Sequence, residues 1–217
     1  MKEGILKLTL LILATSPTIV VAQKQSVITV GVSGNSYNGE LSSYSSWSSG
    51  LQIGWIFNPD KKLSGSLYAG LASVTGEDRD FTFQTNIGDP APNTFVKTNY
   101  FYAHYGLRFT FLRKGNVSAY LSQGLGFLRF TPKDEFDEEL EDQDDTRNQD
   151  ETYRNISFML PTSLGASYTF TNGFGINLEL GLLNSTSDYL DNISEFGSSG
   201  SDNVLATRLA LAIPFNR

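Results

Sequence analysis

Four ionisable side chains lie inside stretches where every second residue is apolar: His104, Arg108, Glu179 and Arg208. In each stretch they occupy the positions between the apolar ones. A carboxylate enclosed with two guanidinium groups makes a hydrogen-bonded ion network, because buried charges must be paired. Acid–base or nucleophilic catalysis needs more than this: an activated group, and an oriented base that substrate can reach. His104 is the only histidine, and no Ser or Asp beside it makes an evident dyad. Lipase-type and zinc-type patterns are missing as well. The expectation is a chain with no catalytic residue, no cofactor and no zinc-type metal site. A lone histidine in this setting reads as a hydrogen-bonded core residue.

A second group of acids is crowded into one run: Asp134, Glu135, Asp137, Glu138, Glu139, Glu141, Asp142, Asp144 and Asp145. Carboxylate oxygens are hard ligands suited to Ca²⁺. The run lacks the Gly-containing spacing of an EF-hand loop, so any cation held here is expected to bind weakly and irregularly. The favoured reading is a solvated loop that repels itself, and the remaining one is a dock for a basic partner. The run also explains the net charge of −7. From Asp134 to Glu151 there are eleven acids against one base, Arg147, so that segment carries about −10 and the rest of the chain about +3. A general affinity for nucleic acid or for anionic surfaces is excluded on that distribution.

The elements that must position these groups are set by a two-residue rhythm. Phe101, Ala103, Tyr105, Leu107, Phe109 and Phe111 fall on one face of a strand, and Tyr102, His104, Gly106, Arg108 and Thr110 on the other. The same pattern predicts eight strands, over residues 27–33, 48–57, 63–74, 95–112, 117–130, 153–170, 174–182 and 204–215. Their connections alternate between short turns (58–62, 113–116, 171–173) and long loops (34–47, 75–93, the acidic run, 183–203). Asn172-Gly173 is the strongest hairpin signal, because Asn-Gly readily takes positive φ.

An apolar outer face over a polar interior is how a β-barrel meets lipid. The fold expected is all-β, an eight-stranded antiparallel up-and-down transmembrane barrel. Its alternative, a soluble lipocalin-like ligand-binding barrel, has the reverse polarity. Cysteine is absent from the chain, and a closed barrel needs no disulfide because its own ladder holds it. Residues 1–22 read as a signal peptide: Lys2 and Lys7, an apolar core over Leu8–Ala14, then Val20-Val21-Ala22 before Gln23. Residues 23–217 form the barrel domain. An even strand number puts both termini at the short-turn end, which in such barrels is periplasmic. Trp55, Phe57, Phe109, Phe111, Phe170, Phe174 and Phe215 crowd towards that end, as an interfacial girdle would.

A signal, eight strands and the closing run Leu209-Ala210-Leu211-Ala212-Ile213-Pro214-Phe215 together resemble the small OmpA/OmpX-like outer-membrane barrels. More loosely, they resemble the β-barrel domain proteins of Bacteroidota-type bacteria. The resemblance implies the outer membrane of a Gram-negative bacterium, contact with lipid and lipopolysaccharide, and insertion by the barrel-assembly machinery. That machinery reads an aromatic residue ending the last strand, and Phe215 is the matching position, although Asn216 and Arg217 follow it. No residues remain after the eighth strand for a peptidoglycan-binding domain.

An eight-stranded barrel is just wide enough to be filled by side chains. His104, Arg108, Glu179 and Arg208 are therefore expected to form a lumenal plug, with Glu179 and Arg208 level on neighbouring strands and Arg108 across the lumen. The expected role is structural or surface-interacting, exerted by a monomer through four long loops. The alternative is a narrow channel for ions or small solutes, gated by the lumenal charges.

Overall fold

The computed structural model describes residues 26–80, 93–143, 146, 154–193 and 201–215. The expected signal segment, residues 1–22, lies outside the described residues, as do Asp144 and Asp145 of the acidic run.

Among the described residues nine strands are present: β1 (Ser26–Gly39), β2 (Ser42–Ser43), β3 (Ser48–Phe57), β4 (Leu63–Glu77), β5 (Phe95–Lys114), β6 (Val117–Lys133), β7 (Ile156–Thr169), β8 (Gly175–Ser185) and β9 (Asn203–Phe215). All but β2 are barrel staves, each antiparallel to its neighbour in sequence. The sheet closes where β1 pairs with β9, from Ser26↔Phe215 to Asn38↔Asn203. β2 is a two-residue flap on the tip of β1. The fold is thus a closed, eight-stranded, antiparallel up-and-down transmembrane β-barrel.

Alternation decides which way each residue points. Along β5, Phe101, Tyr105, Leu107, Phe109 and Phe111 are exposed, while Tyr102, His104, Arg108 and Thr110 are buried. Repeated on every stave, this leaves a continuous outer belt of Leu, Val, Ile and Phe. A water-soluble monomer seldom shows an apolar surface of that extent, and a lipid-facing barrel requires it. The reverse polarity of a soluble calyx does not occur here.

The staves run further at the long-loop end than the apolar rhythm predicts. β1 continues to Gly39 rather than stopping at Ser33, and β4, β6 and β8 reach Glu77, Lys133 and Ser185. Above the belt the outward residues no longer need to be apolar, so the alternation lapses while the backbone ladder carries on. β7 is the exception: it begins at Ile156 at the long-loop end and stops at Thr169 at the short-turn end, inside the predicted 153–170.

The three turns 58–62, 115–116 and 170–174 lie together with Ser26 and Phe215. Gly173 takes φ of 86°. Asn172 does not share the positive φ; its Oδ1 accepts the Phe174 N–H at 3.2 Å. Trp55 packs against Phe57 (5.0 Å between centroids) and edge-on to Phe215 (6.4 Å), so the aromatic girdle is continuous across the closing seam.

The β5–β6 ladder shifts register between Thr110 and Leu112, and the β6–β7 ladder is interrupted outright. β6 and β7 pair from Val117↔Tyr168 to Gln123↔Thr162 and resume only at Gly126↔Met159. Pro161 lies in the gap, where its ring nitrogen has no hydrogen to donate. Gln123, outward between Leu121 and Leu125, covers the break: its Nε2 donates to the Pro161 carbonyl (3.3 Å) and the Gly124 carbonyl (3.4 Å). Its Oε1 accepts the Thr162 hydroxyl at 2.8 Å.

Candidate functional site: the filled lumen and its capped mouth

The middle of the lumen is built on Glu179 of β8. β8 and β9 leave the hairpin at 170–174 and the C-terminal rim in register, which sets Glu179 directly opposite Arg208. The Arg208 Nη1 donates to Glu179 Oε2 at 3.3 Å, with both side chains buried. Glu179 Oε1 accepts the Tyr120 hydroxyl of β6 at 2.7 Å and the Tyr68 hydroxyl of β4 at 3.5 Å. Four staves thus meet on one carboxylate. Gly165 and Gly54 make room for this: a Cβ at either would run into the Tyr120 or the Tyr68 ring.

The structure sets the other two candidates apart from that carboxylate. Arg108 lies with its guanidinium carbon 3.2 Å from the Tyr120 ring centroid and donates to Ser167 Oγ at 3.4 Å. Among the described residues it forms no ion pair, so the expected cluster of two guanidinium groups on one carboxylate is in fact a pair plus a cation–π stack. Tyr120 separates them, its ring under Arg108 and its hydroxyl on Glu179. His104 is stacked on Tyr68 (5.2 Å) and Tyr102 (6.2 Å), and neither ring nitrogen has a hydrogen-bond partner among the described residues. The expectation of a hydrogen-bonded histidine fails because aromatic faces surround it. Tyr102 itself donates to Gln52 Oε1 at 3.2 Å.

Above this layer the lumen turns apolar, which the polar spacing residues did not foretell. Tyr37, Val74, Tyr100, Leu128, Phe130 and Met159 face inward near the mouth, and residues 186–193 fold in to meet them with Leu190 and Ile193. Thr98 donates to the Leu190 carbonyl, and the Leu190 N–H donates to Asp202 Oδ2 at 2.8 Å. Asp191, fully buried, accepts the N–H groups of Glu40 (3.0 Å) and Ile193 (3.1 Å) and ties the flap after β1 to this cap. Burial, above all, pushes the carboxyls of Asp191 and Asp202 well up from the usual range; the charge of Glu40 adds to it for both, and that of Asp191 for Asp202.

The first half of the acidic run is folded rather than splayed. Asp134 Oδ1 accepts the N–H groups of Phe136 (2.9 Å) and Glu138 (2.8 Å), and Lys133 pairs with Asp137 at 3.2 Å. Leu140 is buried in the cap. Among the described residues the three carboxylates whose oxygens lie within 4.8 Å of one another are Glu40, Asp188 and Asp202, none of them in that run. At the opposite end a cavity of about 340 Å³ opens between the short turns and reaches Arg108, Ser167 and Asn177.

No protein-family model matches the chain, and no curated protein is similar to it in sequence. Solved structures are similar in shape. OprG from Pseudomonas aeruginosa, an outer-membrane protein, matches 89% of this chain and 97% of its own at 11% identity, with a TM-score of 0.52. Ail, the attachment invasion locus protein of Yersinia pestis, crystallised with the heparin analogue sucrose octasulfate, matches 88% and 98% at 13% identity and 0.51. Neisserial surface protein A matches 88% and 97% at 13% identity and 0.50. At such identities the likeness is one of fold: this chain has the architecture of the small outer-membrane β-barrels.

Proposed function

We propose that the chain is a non-enzymatic outer-membrane barrel of a Gram-negative bacterium, monomeric, with both termini periplasmic and its long loops outside. Its role on this reading is structural or surface-interacting, with lipid and lipopolysaccharide around the belt and the barrel-assembly machinery needed for insertion. The observation that carries it is the obstructed lumen. Glu179, Arg208, Tyr68 and Tyr120 fill the middle, and Leu190 and Ile193 fill the mouth. Large loops on a rigid scaffold are where binding usually resides. These loops are acidic, so a polyanion of the kind crystallised with Ail is not the partner we propose; a basic surface is.

The rival is a narrow channel, favoured by the cavity that opens on Arg108 from the short-turn end. Planar-bilayer recording on the purified protein separates the two. Silent bilayers are expected, and steady, reproducible conductance would overturn the filled-lumen reading. Protease added to intact cells tests orientation: cleavage should fall within the long loops and spare the three short turns.

A further inference from the structure

We infer that the mouth of the barrel carries a Ca²⁺ site formed by Glu40, Asp188 and Asp202, distinct from the acidic run at 134–145. The three residues come from two separate segments. Glu40 lies in the turn between β1 and β2, Asp188 lies shortly after the end of β8, and Asp202 immediately precedes β9. Each offers a carboxylate oxygen within 4.8 Å of the others. Ca²⁺ takes such oxygens at about 2.3–2.6 Å, so oxygens around one ion lie a few ångströms apart.

A second observation is independent of that convergence. Asp202 is 1% exposed, its Oδ2 is engaged by the Leu190 N–H, and its Oδ1 has no hydrogen-bond partner among the described residues. That oxygen faces Gly39, where Asp191 Oδ2 also approaches; a Cβ at Gly39 would collide with Asp202 Oδ1. A buried carboxylate oxygen without a donor is costly unless a proton or a cation occupies its lone pairs. Neither Asp191 nor Asp202 forms an ion pair with Lys or Arg among the described residues.

The surroundings fit a built site. Asp191 spends both oxygens on backbone N–H groups and so holds Glu40 in place, as the support behind a ligand should. Glu40 and Asp188 are half-exposed, which leaves the ion a route from solvent. Loop carboxylates on a flexible backbone suit Ca²⁺ better than Mg²⁺, which demands near-ideal octahedral geometry. The ion would clamp the β1–β2 flap to the cap.

The test is calorimetric titration of Ca²⁺ into the full chain in detergent micelles. Tb³⁺ luminescence excited through tyrosine reports in parallel, since the Tyr37 hydroxyl lies 3.5 Å from Asp191 Oδ2. One Ca²⁺ per chain is expected, with a Kd of about 10⁻⁴–10⁻³ M as in extracellular modules. Asp202→Asn keeps an oxygen for the Leu190 N–H and should weaken binding at least about tenfold, as should Asp188→Asn at a half-exposed position. A variant with Asp134, Glu135, Asp137, Glu138 and Glu139 changed to amides should bind like the parent. Two results overturn the inference. One is no binding by the parent chain up to about 10 mM Ca²⁺, well above the range of such modules, which makes the cluster a proton-sharing cap. The other is binding lost with the acidic run and kept in both single variants.

Discussion

Glu179 and Arg208 stand opposite each other on β8 and β9, Nη1 to Oε2 at 3.3 Å, with both side chains buried in the middle of the lumen. Removing one partner leaves the other charged and buried. Glu179→Ala should lower stability by about 3–5 kcal/mol, with no relief from Arg108, which is stacked on Tyr120 instead. Changing both residues to uncharged ones of similar size should cost less than Glu179→Ala alone. Urea unfolding in lipid reads both; an unchanged midpoint for Glu179→Ala would mean that the pair is hydrated and the lumen wet.

Tyr120 joins the two halves of the lumenal network. Tyr120→Phe keeps the ring under Arg108 and deletes the hydrogen bond to Glu179, for an expected loss of about 1.5–3 kcal/mol. Gly165→Val should cost more, because its side chain takes the space of the Tyr120 ring. Equal midpoints for Tyr120→Phe and the parent chain would remove the hydroxyl from the account.

Gln123 yields a prediction of unusual sign. Replacing an outward polar residue by Leu normally suits a lipid face. Here Gln123→Leu should destabilise by about 1 kcal/mol or more, because the carbonyls of Pro161 and Gly124 lose their donor in a medium that offers no other. Leu125→Arg, on the same face, should cost about 2–4 kcal/mol if it lies near the midplane. A gain in stability for Gln123→Leu would show that the broken ladder needs no cover.

The acids of the cap predict a pH dependence in chelator. Asp191 and Asp202 have raised carboxyl pKa values when folded, so the folded state holds protons that the unfolded chain releases above about pH 4. Stability should therefore fall as pH climbs through the acid range, until the folded groups also ionise. Glu40 and Asp188 face the pair and steepen the fall. Thermal melts from pH 4 to 8 check the sign: stability rising with pH in chelator would contradict the burial of these groups as acids.

Much of the architecture was legible because alternation is a direct record of lipid on one side and lumen on the other. The range 48–57 of β3 and the inward face of β5 needed nothing more. Counting residues up from the short-turn rim, along β8 and back along β9 from Phe215, also sets Glu179 level with Arg208. Tyr68 and Tyr120 were harder to see. They read as ordinary spacing residues, and their meeting on Glu179 depends on curvature that brings β4 and β6 across the lumen to β8. The cap was invisible for another reason: Leu190 and Ile193 sit singly among Ser, Asp and Asn, with no period to mark a buried face. Gln123 interrupts the apolar outward run of Leu121, Leu125 and Phe127, and its reason lies in the missing ladder beside Pro161, which no local pattern records.

The seam between β1 and β9 carries a consequence for how the molecule assembles. Ser26 and Phe215, joined there by a hydrogen bond of 3.0 Å, are 189 positions apart. Every other stave pairs with its sequence neighbour and can zip locally, whereas this ladder must await the longest possible loop closure. Until then the sheet keeps two bare edges, each a template for another chain. The seam closes last, and the mouth that Leu190 and Ile193 fill exists only once it has. A barrel caught unzipped would be open, uncapped and adhesive along both margins, so its lifetime in that state sets how much of the chain is lost to aggregation.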